Sequence, residues 1–500
     1  MRINCLFGIA RGMKKCYDKN RLTMGVFQLN VLYVASQAKP YIDISELGDI
    51  AGALPKALCT VGVDCRIILP LFSTTKEEFK NELKKIATFD AFVKGQDREC
   101  TLYSSQKEGT TYYFIENLEY FSHFGFYSTS YDCERFAFFC RAVINAIPFM
   151  DEWIPDVIHC NNWECGAIPL YLRAFCRYDK MFSKIKTVFT IHNIEHQGEY
   201  DINLAKEVLS IPSDMLSMIS YNGRCNFMKA AIDQCDVVTT VSRTYAMELL
   251  DPWHGLGMEK ILKERKYKFT GILNGIDTDD YNPETDPNLE NHYSSSDISG
   301  KRKEKKRLQK DLGLDEDQDA MLIGIVASMV SRKGLELIEA CEKKLMKMNV
   351  QLAVLGIGQS RYVDYFKRMQ RMFPGRVVMI NEFNLDMAKR IYAGADAILL
   401  PCKNEPCGLT QMKAMRYGTV PIVREAGGLK DTVHDIAEIG GNGFTFLNFV
   451  SDELLEAVER ALETFHSNDW EELVKKDMEC DYSWKKSAST YKQLYQVITR

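Results

Sequence analysis

Short apolar runs separated by stretches of helical spacing recur along nearly the whole chain. Val31-Leu32-Tyr33-Val34 reads as the first buried strand, with a loop and a helix over about 44–61 behind it. Apolar runs at 65–69, 112–115, 157–159, 187–191 and 237–240 continue the series, and helical patterns such as 133–147 separate most of them. This alternation predicts a parallel sheet covered by helices on both faces. The segment 271–277 and the run Asn282-Pro283-Glu284-Thr285-Asp286-Pro287 are dense in turn-forming residues, so a domain boundary is expected there. A polar stretch, 291–300, leads into a basic helix, 301–312, which reads as a solvated face or as a flank of a cleft. The alternation then resumes, with strands at 322–327, 351–355, 377–380, 397–400 and 420–423. A last helix, 484–497, is expected to cross back and brace the first domain. The division that follows is a leader at 1–28, domains at 29–270 and 271–480, and a terminal helix within 481–500.

Composition narrows the class. Five hundred residues exceed one hydrophobic core, which agrees with two domains. A net charge of −5 argues against a nucleic-acid partner, which would want a basic face. The 16 cysteines are scattered without any Cys-x-x-Cys pair, so buried, reduced thiols in a cytoplasmic protein are expected. No apolar run approaches the length of a membrane span. The leader is basic, and its apolar piece is too short and broken for a signal peptide; it reads as a disordered extension or a start-site artefact.

Candidate chemistry concentrates between Leu399 and Val433. A strand ending at Leu400 meets a turn from Pro401 to Pro406, a helical segment, a second strand at 420–423, and the pair Gly427-Gly428. Ligands bind such βαβ units in the crevice at the carboxyl ends of the strands. Glu405 stands in that turn, and Cys407-Gly408-Leu409-Thr410 opens the helix with unhindered backbone amides. A carboxylate there accepts from sugar hydroxyls while the helix start faces an anion; the plainer alternative is that Glu405 caps the helix. The wording Glu405-Pro406-Cys407-Gly408-Leu409-Thr410-Gln411, with Tyr417-Gly418-Thr419-Val420-Pro421-Ile422-Val423-Arg424 and Gly427-Gly428-Leu429-Lys430-Asp431 after it, resembles the donor site of bacterial glycogen synthases and plant starch synthases. The resemblance runs from about Leu29 to the C-terminus and includes Ile191-His192-Asn193, Thr239-Thr240-Val241-Ser242 and Gly271-Ile272-Leu273-Asn274-Gly275.

That resemblance implies an α/β chain of two facing, Rossmann-like doubly wound domains, the GT-B glycosyltransferase architecture, with a cleft between them. It implies transfer of glucose from ADP-glucose to the 4-hydroxyl of an α-1,4-glucan with retention, no metal and no other cofactor. The partners implied are a nucleotide sugar and an α-glucan, with neither nucleic acid nor membrane. Lys333 and Glu405 take the catalytic places; Gly356, Gly358, Cys407, Gly408, Leu409, Thr410, Gly427 and Gly428 take the donor-binding ones; His192, Asn193 and Trp163 take the sugar or acceptor side. Trp163, Tyr281 and Tyr417 are aromatics for stacking on a sugar or for core packing.

Three places depart from the family's pattern. Where the family has Lys-x-Gly-Gly-Leu before its first helix, this chain has Asp43-Ile44-Ser45-Glu46-Leu47. Asp43 and Glu46 stand at the spacing of a capping box, so Asp43 is expected as N-cap, with Lys39 as a rival source of the missing cation. The family's arginine five residues before Lys333 is Ser328, with Arg332 close enough to compensate in part. The family's His-Asp-Trp-His is Asn161-Asn162-Trp163-Glu164, and Asn161 cannot titrate. A unit charge ~6 Å from a phosphate charge, at an effective dielectric of ~20, is worth about 3 kcal/mol. Loss of an arginine that stabilises leaving phosphate costs ~10³–10⁵ in rate in related phosphate chemistry. Three readings stand at this point: a glucosyltransferase with a degraded diphosphate site, an inactive paralogue that binds glucan or nucleotide as a scaffold, and a transferase with another donor.

Overall fold

The computed structural model describes residues 29–122 and 130–500. The leader expected at 1–28 lies outside the described residues.

The first domain contains β1 (Leu29–Val34), β2 (Val63–Pro70), β3 (Lys84–Val93), β4 (Gln96–Lys107), β5 (Thr110–Glu116), β6 (Val157–Asn161) and β7 (Lys186–Ile191). A small three-stranded sheet of β8 (Glu199–Asp201), β9 (Ser220–Tyr221) and β10 (Arg224–Asn226) follows, then β11 (Val237–Thr240) and β12 (Phe269–Gly271). The main sheet has nine strands in the order β12-β11-β7-β6-β1-β2-β5-β4-β3. All six residues of β1 are buried at its centre, as the continuous apolar run requires.

The expectation of a wholly parallel sheet is corrected at one edge. β4 runs antiparallel to β5, and β3 antiparallel to β4. The hairpin turn is Lys94-Gly95, with φ of 52° and 72°, the doubly positive turn that suits the twist of a two-residue hairpin. β3 alternates exposed and buried positions over its second half, so only one face is covered and the strand lacks the solid apolar run of a buried strand.

The second domain carries β13 (Met321–Val326), β14 (Val350–Leu355), β15 (Val377–Ile380), β16 (Ala397–Leu400), β17 (Val420–Arg424) and β18 (Phe444–Phe446). They form one sheet in the order β15-β14-β13-β16-β17-β18, every pair parallel. This is a doubly wound order with its reversal between β13 and β16; in the first domain the reversal falls between β1 and β6. The two crevices of such sheets therefore open at the ends of these four strands.

The domains are tied in several places. The helix Trp484–Thr499 lies along the helix Glu46–Thr60, burying Tyr491 and Tyr495, with Tyr495 Oη 2.7 Å from His159 Nδ1 under β6. Ser242 Oγ donates to the Pro406 carbonyl at 2.6 Å. Asp431 accepts from the Arg243 and Thr244 amides at 2.6 and 3.0 Å, while Glu248 accepts from the Gly427 amide at 2.9 Å.

The basic helix expected at 301–312 spans Ser299–Leu312, and its reading as a solvated face is corrected in part. Lys301 and Lys305, one turn apart, both point into the second domain. All 14 cysteines among the described residues are free, and all but Cys59 and Cys480 are buried. No described helix is long and apolar enough to cross a membrane.

Candidate active site

The crevice of the second domain is built from turns that touch through their glycines. Lys333 ends a short turn after β13, and Gly334, at φ 71°, follows it. A Cβ on Gly334 would stand 1.9 Å from the Pro401 carbonyl oxygen, so only glycine lets this turn meet the loop after β16. The same logic applies after β14: a Cβ on Gly356 would meet the Ala327 carbonyl at 1.9 Å, and one on Gly358 the Met329 carbonyl at 2.5 Å. Gly427 and Gly428 would clash at 2.0 and 1.9 Å with the carbonyls of Glu405 and Cys407. Each of these glycines therefore has a packing role: Gly334 joins the Lys333 turn to the loop after β16, Gly356 and Gly358 seat the turn after β14 on the one after β13, and Gly427 and Gly428 seat on the Glu405 loop.

Lys333 and Glu405 form a buried ion pair, their side chains 12% and 4% exposed. The Glu405 carboxylate also accepts from Cys402 Sγ at 3.4 Å, and its backbone carbonyl takes the Gly428 amide at 3.0 Å. Its side chain therefore faces a cation across the crevice instead of capping a helix. Burial raises a carboxyl, but the charges of Lys333 and Arg332 outweigh it and hold Glu405 below the usual range. Burial likewise disfavours the Lys333 ammonium, and Glu405 overcomes it, raising the lysine to about 12. Arg332, half-buried, lines a recess with Asn193, Asn404 and Pro406. Gly408, at φ 70°, and Leu409 lead into the helix Thr410–Arg416, to whose first turn no side chain of its own is hydrogen-bonded.

The first domain presents the ends of β6 and β7. Asn161 is fully buried, and its amide Nδ2 donates to the Val34 and His159 carbonyls at 2.9 and 3.3 Å. That orientation turns Oδ1 toward His192 Nε2 at 2.9 Å, so His192 donates there and its Nδ1 is the acceptor nitrogen. Burial lowers the His192 imidazole to about 3, so it is neutral. Asn193 is half-buried at the rim, turning on itself to accept from the Glu195 amide at 2.9 Å.

Several expectations are corrected. Asn161, placed among the catalytic residues, has its amide consumed by protein partners, so it positions His192 instead of meeting a sugar. Trp163 is 2% exposed, edge-on to Phe136 and Phe227, which leaves no face for a sugar. Tyr281 and Tyr417 are buried too. The N-cap of the helix Glu46–Thr60 is Ser45, whose Oγ accepts from the Leu47 amide at 3.3 Å. Asp43 lies two residues earlier and pairs with Lys39 at 3.2 Å. Lys39 is committed to Asp43 and Asp49, so it supplies no free cation. Ser328 is exposed after β13 and brings no charge.

Three residues that the motifs did not single out as site residues meet in the cleft: Glu46, Asp49 and Lys413. Lys413 Nζ bonds Asp49 at 3.1 Å across the domains. Glu46 is solvent-accessible, but protein on both sides of the cleft desolvates it, and its charged neighbours include Glu405, Lys333, Arg332 and Lys413. The sequence signal for it was the replacement of a glycine by an acid at a helix start.

Comparison with known proteins bears on this arrangement. A family profile described as "Starch synthase catalytic domain" matches residues 30–264, and one described as "Glycosyl transferases group 1" matches residues 304–476. The chain is 39% identical over 477 residues to a glycogen synthase of Clostridium botulinum (strain Alaska E43 / Type E3), covering 94% of this chain and 100% of that one. It is 40% identical over 477 residues to a glycogen synthase of Geobacillus stearothermophilus, covering 94% and 98%. Among solved structures, the catalytic domain of starch synthase IV from Arabidopsis thaliana, bound to ADP and acarbose, is similar with a TM-score of 0.86 at 30% identity, over 95% of this chain and 100% of that one. A sucrose-phosphate synthase from Thermosynechococcus elongatus shares the fold, with a TM-score of 0.58 at 15% identity over 94% of this chain and 99% of that one.

Proposed function

The chain belongs to the glycogen synthase and starch synthase family, and from that premise we propose that it transfers glucose from ADP-glucose to the 4-hydroxyl of an α-1,4-glucan, retaining the anomeric configuration, with a weakened hold on the leaving diphosphate. The observation that carries this reading is the buried Lys333–Glu405 pair at the crevice where the strand order reverses. The bond from the anomeric carbon to the diphosphate oxygen breaks with its electron pair passing to that oxygen, the acceptor's 4-oxygen bonds the anomeric carbon, and the 4-hydroxyl proton leaves with the diphosphate. Lys333, held protonated by Glu405, is the cation that meets it. Glu405, held ionised, accepts from the glucose hydroxyls. Neutral His192 offers hydrogen bonding on the acceptor side. The free, mostly buried thiols support a reducing compartment, the cytoplasm.

A second reading, a non-catalytic glucan- or nucleotide-binding protein, is favoured by the absence of charge at Asn161 and Ser328. Release of ADP from ADP-glucose with glycogen as acceptor separates the two. Turnover above background is expected, falling by ~10²-fold or more in Lys333→Met, the scale seen when one donor to a developing oxyanion is removed. Binding of ADP or glycogen without turnover would establish the second reading in its place.

A further inference from the structure

We propose that Glu46 is a resident counter-anion of the donor cleft, competing with a diphosphate for Lys333 and Arg332, and that Arg332 is the residue which replaces the charge missing at Ser328. The inference rests on the reading above, that the cleft accepts a nucleotide diphosphate sugar. It also says how this chain differs from one with glycine at that helix start.

The helix Glu46–Thr60 begins at the cleft and is docked there by Asp49, bonded to Lys413 of the opposite domain at 3.1 Å. Much of the backbone leading into it is already satisfied. Gln37 Oε1 accepts from the Ile44 and Ser45 amides at 3.2 and 3.0 Å, and Ser45 Oγ accepts from Leu47. Glu46, the first helical residue, sets a carboxylate at that start. Glu46 stands one turn before Asp49 on the same helix face, so it is directed at the opposite domain, where the helix carrying Lys413 follows the Glu405 loop. Glu405, Lys333, Arg332 and Lys413 act on its charge from that side, while Lys39, Asp43 and Asp49 belong to its own side. Arg332 is half-buried beside Lys333 in the turn after β13, and its charge acts on both Glu46 and Glu405. Lys39 and Lys413 are engaged by Asp49. Lys333 and Arg332 thus stand against Glu405 and Glu46 in a balanced set, and an entering diphosphate unbalances it. Desolvation between the cleft walls and the charge of Glu405 both raise the Glu46 carboxyl, and an entering diphosphate adds a further negative charge that raises it in the same direction, favouring proton uptake.

Titration calorimetry of the full chain with ADP, in two buffers of different ionisation enthalpy, tests this. Wild type is expected to take up a proton on binding. Glu46→Gln and Glu46→Ala are expected to bind ADP about tenfold tighter, without that uptake, from the removal of one like charge at contact range. Arg332→Gln is expected to bind about tenfold weaker, and Arg332→Lys to recover most of the loss. Unchanged ADP affinity in either Glu46 variant or in Arg332→Gln, or no ADP binding by any of these chains, overturns the inference. Fast transfer from ADP-glucose with ADP affinity indifferent to Glu46 leaves the transferase reading standing alone; the expected affinity shifts without any transfer do the reverse.

Discussion

Lys301 is buried in the second domain, and among the described residues no carboxylate is bonded to it. Its ammonium donates to the carbonyls of Ala393 and Tyr417 at 3.1 and 3.0 Å and to Thr419 Oγ1 at 2.7 Å. Burial is the largest influence on it, opposed by Asp396, and brings the lysine down from 10.5 to about 7. Between those two values the unfolded chain binds the extra proton, so stability rises as pH rises through the window, and below about 7 the full penalty applies. Urea unfolding of wild type and Lys301→Met should therefore show a free-energy difference that moves in favour of wild type from pH 7 to pH 9, by at most ~1.4 kcal/mol per pH unit. A difference independent of pH would mean that the ammonium is not depressed. Residue types at this scale were readable in the chain, but side-chain directions were not. The run of basic residues in 301–312 gave no sign that Lys301 and Lys305 turn inward, because that depends on carbonyls more than 90 residues away for Lys301. Asn161 and Trp163 were visible as polar and aromatic; only the packing around them showed that their hydrogen bonds and faces are already used.

Among the elements, the short helices Arg243–Glu248 and Gly427–Thr432 cap one another across the domain boundary. Asp431 takes the first amides of the former, and Glu248 takes the first amide of the latter, which lacks a cap of its own. Asp431→Ala removes one half of this exchange. A loss of about 1 kcal/mol is expected, the usual value of an N-cap carboxylate. The Arg243 and Thr244 amides should then exchange hydrogen about fivefold faster, as a change of that size dictates. Unaltered protection at those two amides would show that the cap is not what holds them. The long buried parallel strands were legible from period alone, since such a strand needs an unbroken apolar run, whereas the two- and three-residue strands β8, β9, β10, β12 and β18 are too short to show one. The hairpin of β3 and β4 was missed because one of its faces is wet. The cap at Ser45 was misplaced because Asp43 met the spacing rule equally well; Ser45, next to the first helical residue, is the one that bonds the Leu47 amide.

For the whole molecule, the terminal helix is part of the first domain's core although it follows the second domain in the chain. Trp484, Tyr491 and Tyr495 are buried, Ser487 Oγ donates to the Leu273 carbonyl at 2.5 Å, and Tyr495 meets His159. Burial of each such side chain contributes ~1.5–3 kcal/mol. A chain ending at Ser483 should lower the first thermal transition markedly, while Tyr495→Phe, which loses one buried hydrogen bond, should cost about 1 kcal/mol. Calorimetry that finds the first transition unmoved by the truncation would show the helix to be an appendage. Because the chain crosses between the domains twice, through 272–298 and again at Ser483, relative motion of the domains has to bend both crossings together.

Periodicity and turn chemistry are local properties, and from the chain alone they indicated two wound α/β units, with Glu405 in the turn after a strand. Which groups then face each other was decided only by the tertiary structure. The glycines of the crevice turned out to be points of contact between loops, and the Glu46 carboxylate to lie opposite Lys333, Arg332 and Glu405. The physical reason is range: the apolar period of a strand involves near neighbours, whereas the partner of a charge in the cleft lies 72 residues away for Lys333 and Glu405 and 364 for Lys413 and Asp49.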